Sequence, residues 1–166
     1  MRLRDLDALP DDARIWVFGA DPELSEELAG RFLEAVDGFL DGWAAHGVPL
    51  KGARAWKYDR FLIVGVDEAS APPSGCAIDA LVAVFKKFQG DSGVRFLGNE
   101  SVWFRMGDQI QRVSRAEFRA LSKEGRITPD VIVFDNSVTR LADYRANRWE
   151  APARERWHGP AFFGLS

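Results

Sequence analysis

The most constraining feature of the sequence is a long amphipathic stripe between an Asp-Pro pair and a His-Gly pair. Its apolar residues recur every three or four positions: Leu24, Leu28, Phe32, Val36, Phe39, Leu40 and Trp43. This spacing places them on one face of an α-helix. Asp21 and Pro22 suit the N-cap and first helical position, and Gly47 suits the C-terminal cap. The pattern predicts a helix from Asp21 to about His46 with one face in the core.

The rest of the sequence predicts six strands and two more helices. Most of the strands are short apolar runs, and one alternates between apolar and polar residues, so that one of its faces is exposed to solvent. The predicted strands are residues 15–18, 53–58, 61–66, 102–106, 109–113 and 131–134. Ser74 is the expected N-cap of a second helix, and Ser114 with Glu117 forms a capping box that opens a third. The first six elements match the βαββαβ order of ferredoxin-like domains. We therefore expect an α+β fold with a mainly antiparallel mixed sheet, helices on one face and an extra βαβ segment.

Length and composition favour one globular domain. The chain has 166 residues, of which 46% are hydrophobic and 28% charged, and this suits a single domain with a sizeable core. We expect residues 1–13 to form a loosely packed N-terminal arm and residues 14–136 the α+β core. Residues 137–166 are expected to be an irregular tail, rich in aromatic side chains and with a short helix around residues 141–147, that packs on the core.

Charge and cysteine content exclude several classes of protein. The net charge is −3, which argues against nucleic acid as a partner. A single cysteine excludes an intrachain disulfide and a cysteine-based zinc cluster. The N-terminal residues have no apolar signal-peptide region, and the apolar runs are too short to span a membrane. We expect a cytoplasmic protein with no membrane partner, no cofactor and no bound metal; an exposed apolar sheet face would favour a homodimer.

Topology predicts which polar residues share an end of the sheet. A strand-helix-strand crossover makes its two strands parallel, and a hairpin makes its strands antiparallel. On this basis Trp43, His46, Asp67, Cys76, Asp79 and Asp108 lie at one end. Asp21, Asp135 and Asn136 lie at the other end, where two carboxylates could also hold Mg²⁺.

Cys76 is the main catalytic candidate, because the first turn of a helix stabilises a thiolate. His46 could act as its base, and Asp67 or Asp79 could orient that base. The alternative is that Cys76 is a small buried hydrophobic residue and His46 an ordinary helix C-terminal residue. Trp43, Asp67, Ser74, Asp135 and Asn136 are the candidate binding residues, although Trp43 is also explained as the last core residue of its helix.

The chain carries no complete catalytic signature. It contains no phosphate-binding Gly-Lys loop, no Gly-x-Gly-x-x-Gly, no His-Glu-x-x-His and no Gly-x-Ser-x-Gly, which argues against the common nucleotide-binding enzymes and hydrolases. The first hypothesis is a non-catalytic module that binds a small ligand or a protein partner. The alternative is a thiol-dependent hydrolase or transferase with Cys76 as nucleophile. In the tail, Trp157 and His158 could pack on the core or form part of a partner surface.

Five segments together resemble a family of short uncharacterised bacterial proteins. They are residues 43–47 (WAAHG), 74–79 (SGCAID), 133–136 (VFDN), 148–152 (RWEAP) and 157–158 (WH). The resemblance covers most of the chain and implies a bacterial source. Some members carry the label "ABC transporter ATPase", but the sequence has no phosphate loop to support ATP binding.

Overall fold

The structure is a computed structural model that describes residues 5–69 and 71–166. Within these residues there are ten strands and five α-helices, and the fold is α+β as predicted. The strands are β1 (Arg14–Asp21), β2 (Ala44–Ala45), β3 (Val48–Pro49), β4 (Gly52–Lys57), β5 (Phe61–Val66), β6 (Arg95–Leu97), β7 (Val102–Met106), β8 (Gln109–Val113), β9 (Ile132–Phe134) and β10 (Glu150–Pro152). The helices are α1 (Glu26–Asp41), α2 (Gly75–Ser92), α3 (Arg115–Lys123), α4 (Leu141–Arg145) and α5 (His158–Phe163).

The chain divides into two compact units. The first contains the residues up to Leu97 together with Thr139–Ala142, and the second contains Gly98–Val138 and Asp143–Ser166. The sequence-based expectation of a single domain stays a prediction. Among the described residues, no helix is both long enough and apolar enough to cross a membrane.

The first unit has the predicted βαββαβ order, with an antiparallel sheet in the order β4-β5-β1-β6. The prediction of its fourth strand was wrong. That strand is β6, whose Arg95 pairs with Asp21 at the end of β1, whereas residues 102–106 form β7 in the second unit. A three-residue strand is too short to show an alternating pattern. The longer apolar run at 102–106 therefore predicts the fourth strand in its place.

Helices α1 and α2 pack on one face of this sheet, as predicted. Phe32 and Phe85 from the helices join Leu62 and Val64 of β5 in one buried cluster. The other face carries the alternate residues of β5, and there the N-terminal segment packs closely. Leu6 and Leu9 are 3% and 8% exposed. The expectation of a loosely packed arm was therefore wrong for the described residues 5–13; residues 1–4 of that arm lie outside the described residues.

The second unit is built on an antiparallel sheet in the order β10-β9-β7-β8. Phe104 of β7, Phe118 of α3, Val133 of β9 and Phe162 of α5 form its core. The C-terminal segment is more regular than predicted: the short helix expected around residues 141–147 is present as α4, and in addition residues 150–152 add strand β10 beside β9 and residues 158–163 form α5. Three-residue strands and six-residue helices carry too little periodicity to be recognised in a sequence.

Candidate functional site: a polar cleft beside a buried aspartate

In the first unit, Trp43 links the end of the α1 segment to the start of α2. Its side chain is buried, and its indole N–H donates a hydrogen bond of 2.9 Å to the carbonyl of Ala77. Ser74 is the N-cap of α2, as predicted, and its hydroxyl accepts a hydrogen bond from the amide of Ala77. Trp43 and Ser74 thus both position the first turn of α2.

Cys76 is an exposed free thiol in that first turn, and Asp79 is exposed one turn later. Asp67 follows β5 and accepts a hydrogen bond of 3.0 Å from the amide of Ala69. Among the described residues, no hydrogen bond joins Cys76 to His46, Asp67 or Asp79. Cys76, His46 and Asp67 therefore all lie in the first unit. The contact that catalysis would need, between Cys76 as nucleophile and His46 as base, is absent among the described residues.

His46 does not lie at a helix C-terminus, and in this respect the prediction was wrong. Helix α1 ends at Asp41 with Gly42 as its cap, and His46 with Gly47 forms the tip of the small hairpin β2–β3. Both residues have positive φ, +52° and +78°, as a type I′ hairpin turn requires. His46 is exposed there. Asp108, which was expected at the same end, belongs to the second unit.

The second unit contains a buried carboxylate, Asp135, directly after β9. One of its oxygens, Oδ1, accepts hydrogen bonds from the amide and hydroxyl of Ser137 and from the indole of Trp157. The other, Oδ2, accepts from Nε of Arg156 at 2.8 Å. The Asp135 side chain is 0% exposed and that of Arg156 is 21% exposed. A buried charge needs such compensation, so the carboxylate holds both Arg156 and Trp157 in place.

Asn136 organises the next part of the loop. Its side-chain amide donates to the carbonyl of Gly98 at 3.1 Å, and its Oδ1 accepts from the indole of Trp149 at 2.9 Å. Asn136 and Trp149 are both buried. Asp135 and Asn136, expected from the sequence to bind a ligand, therefore act first as supports for aromatic and arginine side chains of the C-terminal segment.

His158 lies beside this cluster and is 2% exposed. Its ring stacks on that of Trp157 with a centroid distance of 4.0 Å. Within the described residues, its buried Nδ1 has no hydrogen-bond partner. Burial lowers the pKa of His158 to about 4, because desolvation disfavours the cation; Asp135 acts in the opposite direction, and Arg156 and Arg115 lower the pKa further. The imidazole is therefore neutral at pH 7.

A polar cleft of about 380 Å³ opens beside Arg156. It is lined by Ala146, Asn147, Arg148, Ala151, Glu155 and Arg156. Arg156 uses Nε for Asp135, and its two terminal amino groups have no partner among the described residues. Arg148 is 60% exposed and has one long contact of 3.5 Å, with Asp143. The cleft thus has unpaired guanidinium donors along its wall, which is the arrangement that binds a carboxylate or a phosphate.

The carboxylates considered for Mg²⁺ have arginine and other hydrogen-bond donors as partners. Among the described residues, no group of three or more histidine, cysteine, aspartate or glutamate side chains could hold a metal ion. Of the two carboxylates considered for Mg²⁺, Asp21 faces Arg60 and Arg95 at 3.8 and 3.6 Å. The Asp135 oxygens accept the hydrogen bonds described above.

Comparisons with known proteins give no further assignment: no family model matches the chain, and no curated protein or solved structure matches it.

Sequence reasoning missed Arg156 and found Arg148 only within the resemblance. Neither arginine lies at a recognisable spacing from another functional residue, because the cleft is assembled by the loop after α4 and the turn after β10. The one available signal was the pair Trp157 and His158, which marked the segment next to Arg156 as a place where aromatic and titratable side chains meet.

Proposed function

We propose that the protein is a non-catalytic binding module that holds a small anionic ligand in the cleft lined by Arg148 and Arg156. The observation that carries this proposal is the state of Arg156. Its side chain is 21% exposed and is fixed through Nε, while its two terminal amino groups reach solvent and have no partner in the described part of the chain. A half-buried donor group without a partner loses hydrogen bonding unless water or a ligand supplies an acceptor.

The fixed side chain favours tight recognition of a planar anion. The bond to Asp135 removes much of the rotational freedom of Arg156 before any ligand arrives, so less entropy is lost on binding. The end of a guanidinium can donate two parallel hydrogen bonds to one carboxylate or phosphate. Arg148, on the same cleft, supplies a second cation. The supports predicted as binding residues, Asp135 and Asn136, would then act by holding the wall of the cleft.

The remaining charges of the cleft limit which anions suit it. Glu155 lines the same cleft, and Asp143 lies against Arg148. With Asp135 bonded to Arg156, three carboxylates lie near the two guanidinium groups and leave no net positive charge, so a ligand with several negative charges meets repulsion. We therefore expect small monocarboxylates to bind more tightly than polyanions.

The test is a titration of the full chain with small carboxylates and with inorganic phosphate, followed by calorimetry and by amide chemical shifts of residues 146–156. Arg148→Gln removes one cation from the cleft without touching Asp135. A charged hydrogen bond contributes about 1.5–3 kcal/mol, so the dissociation constant should rise about tenfold or more. Arg126→Gln is the control. It removes the same charge, but Arg126 is exposed and lies outside the cleft. Equal weakening in both variants, or no binding by the wild type, would refute the proposal.

The alternative hypothesis, a thiol-dependent hydrolase or transferase, is supported by the exposure of Cys76 in the first turn of α2. It requires a base, and His46 is the candidate on the neighbouring hairpin. The decisive measurement is the rate of Cys76 alkylation against pH in the wild type and in His46→Ala. A thiol that titrates well below about 8.5, and at higher pH once His46 is removed, would support a coupled pair. Identical titration in the two proteins would exclude His46 as the base.

The cellular setting is also part of this proposal. We propose a bacterial protein of the cytoplasm, since an unpaired, exposed cysteine such as Cys76 persists as a free thiol in a reducing compartment. A small molecule is the proposed partner, rather than nucleic acid. Homodimer formation is testable by sedimentation at micromolar concentration.

A further inference from the structure

A second depression lies in the first unit, between helices α1 and α2, and has a volume of about 280 Å³. Its apolar part is formed by Leu28 and Ala35 of α1 and by Val84 and Phe88 of α2. We call this depression the interhelical groove. Two cations, Arg31 and Lys87, also line it.

The floor of the interhelical groove is held by core packing. The ring of Phe88 packs on that of buried Phe32 at a centroid distance of 5.1 Å and near Phe96 at 6.2 Å. Leu28, Val84 and Phe88 are half-buried. The apolar surface of the groove therefore keeps its shape without a ligand, as small-molecule sites commonly do.

The two cations of the groove have few charged contacts of their own. Arg31 is the single basic residue of α1, which carries five acidic residues. Its one recorded contact is a long one, 3.8 Å to Glu27, between side chains that are 66% and 84% exposed, and such a pair contributes little. Within the described residues, the ammonium group of Lys87 has no ion-pair partner. Both cations are thus available to an incoming anion.

We propose that the interhelical groove binds an amphipathic monoacid, a molecule with a medium-length acyl chain and one carboxylate. The chain contacts Leu28, Val84 and Phe88, and burial of its methylene groups supplies the apolar part of the affinity. The carboxylate meets Arg31 and Lys87. Asp91 lines the groove near its polar side, and its negative charge disfavours a second acidic group on the ligand. This site is independent of the polar cleft in the second unit.

The probe is decanoate, used below its micelle concentration and titrated into the full chain at pH 7 while amide chemical shifts are recorded. We expect saturable shifts in residues 28–35 and 84–91. Decanol, which has the chain without the charge, and acetate, which has the charge without the chain, should each bind at least tenfold more weakly at these amides.

The chain offers a closely matched pair of variants. Lys86 and Lys87 are adjacent, both exposed, and only Lys87 lines the groove. Lys87→Glu should weaken decanoate binding at least tenfold, and Lys86→Glu should change it less than twofold. Arg148→Gln, in the polar cleft, should leave it unchanged, which separates this site from the proposed function. Equal weakening by both lysine variants, equal binding of decanol, or no saturable shift in residues 28–35 and 84–91 would overturn the proposal, whereas shifts in residues 146–156 report on the polar cleft.

Discussion

At the scale of single residues, two aspartates of the second unit show how burial changes the value of an ion pair. Asp135 accepts from Arg156 at 2.8 Å and Asp130 accepts from Arg154 at 2.7 Å. The side chain of Asp135 is 0% exposed, whereas that of Asp130 is 71% exposed. The two bonds are similar in length, but the pairs differ in the solvent around them and in the further hydrogen bonds that Asp135 accepts from Ser137 and Trp157.

We expect Asp135→Asn to lower the free energy of unfolding by about 3 kcal/mol, because removal of one partner leaves a largely buried guanidinium without its counter-charge. Asp130→Asn should leave stability nearly unchanged, since water replaces an exposed partner. Urea denaturation of both variants measures the difference. Similar losses in the two variants would show that Asp135 does not carry the structural role assigned to it.

His158 makes stability depend on pH. Its pKa is about 4 in the folded chain and about 6.5 when unfolded, so the unfolded state binds the proton more readily. The contribution of His158 is fully present above pH 6.5 and is lost as the pH falls towards 4. The shift corresponds to about 3 kcal/mol between these limits.

The measurement is the free energy of unfolding at pH 7 and pH 4.5 for the wild type and for His158→Leu. The variant should lose less stability over this range, because carboxylates titrate in both proteins but the buried imidazole only in one. His46→Asn is the control: asparagine tolerates the positive φ at this turn, and His46 is exposed. A pH dependence unchanged by His158→Leu would contradict the folded-state pKa.

At the scale of elements, the two predicted helix starts that depend on a serine cap were correct, and the one that depends on Asp21 was wrong. The N-cap Ser74 and the capping box of Ser114 with Glu117 are confirmed, since a cap is a contact between residues three apart. Asp21 and Pro22 also look like a helix start, yet α1 begins at Glu26 after Ser25. Asp21 instead pairs with Arg95 of β6, and this strand contact could not be read from the residues around Asp21.

At Gly65, the N-terminal segment packs directly against strand β5. A Cβ atom at Gly65 would lie 2.8 Å from Leu6 and 2.9 Å from Leu9, so Gly65→Ala forces these buried leucines away from β5. We expect a loss of about 1–3 kcal/mol. Gly38→Ala, in α1 with no atom near the new Cβ, should gain about 0.5–1 kcal/mol. Thermal and urea denaturation measure both; a neutral Gly65→Ala would mean that residues 5–13 do not pack tightly on the sheet.

At the scale of the whole molecule, the candidate site depended on contacts that no local pattern reveals. The order of elements predicted that Trp43 lies near the start of α2, because strand direction follows from that order, and Trp43 donates to the carbonyl of Ala77 there. The polar cleft was missed for two reasons. Arg156 is fixed by a bond to Asp135, which is distant in sequence. The other residues of the cleft come together only because the C-terminal segment, which was expected to be irregular, is folded. An arginine in a loop is common, and only its fixed geometry makes it a binding residue.

The first unit is also discontinuous in sequence, and this gives a further prediction. Thr139–Ala142 belongs to it: the carbonyl of Thr139 accepts from the amide of Ile15, and the amide of Leu141 donates to the carbonyl of Ala13. Leu141 is 1% exposed. Leu141→Ala removes a buried side chain and should cost about 2–5 kcal/mol.

The loss of stability caused by Leu141→Ala should be measurable in β1 and β5, although both strands are far from Leu141 in the sequence. Hydrogen exchange at the amides of Trp16 and Ile63 should become about 100-fold faster, since 1.4 kcal/mol corresponds to a factor of ten. Leu165→Ala, a half-buried leucine of the second unit, should change exchange at these two amides only a few-fold. If Leu141→Ala instead accelerated exchange only among residues 98–138 and 143–166, the segment around Leu141 would belong with the second unit, and the first unit would be complete at Leu97.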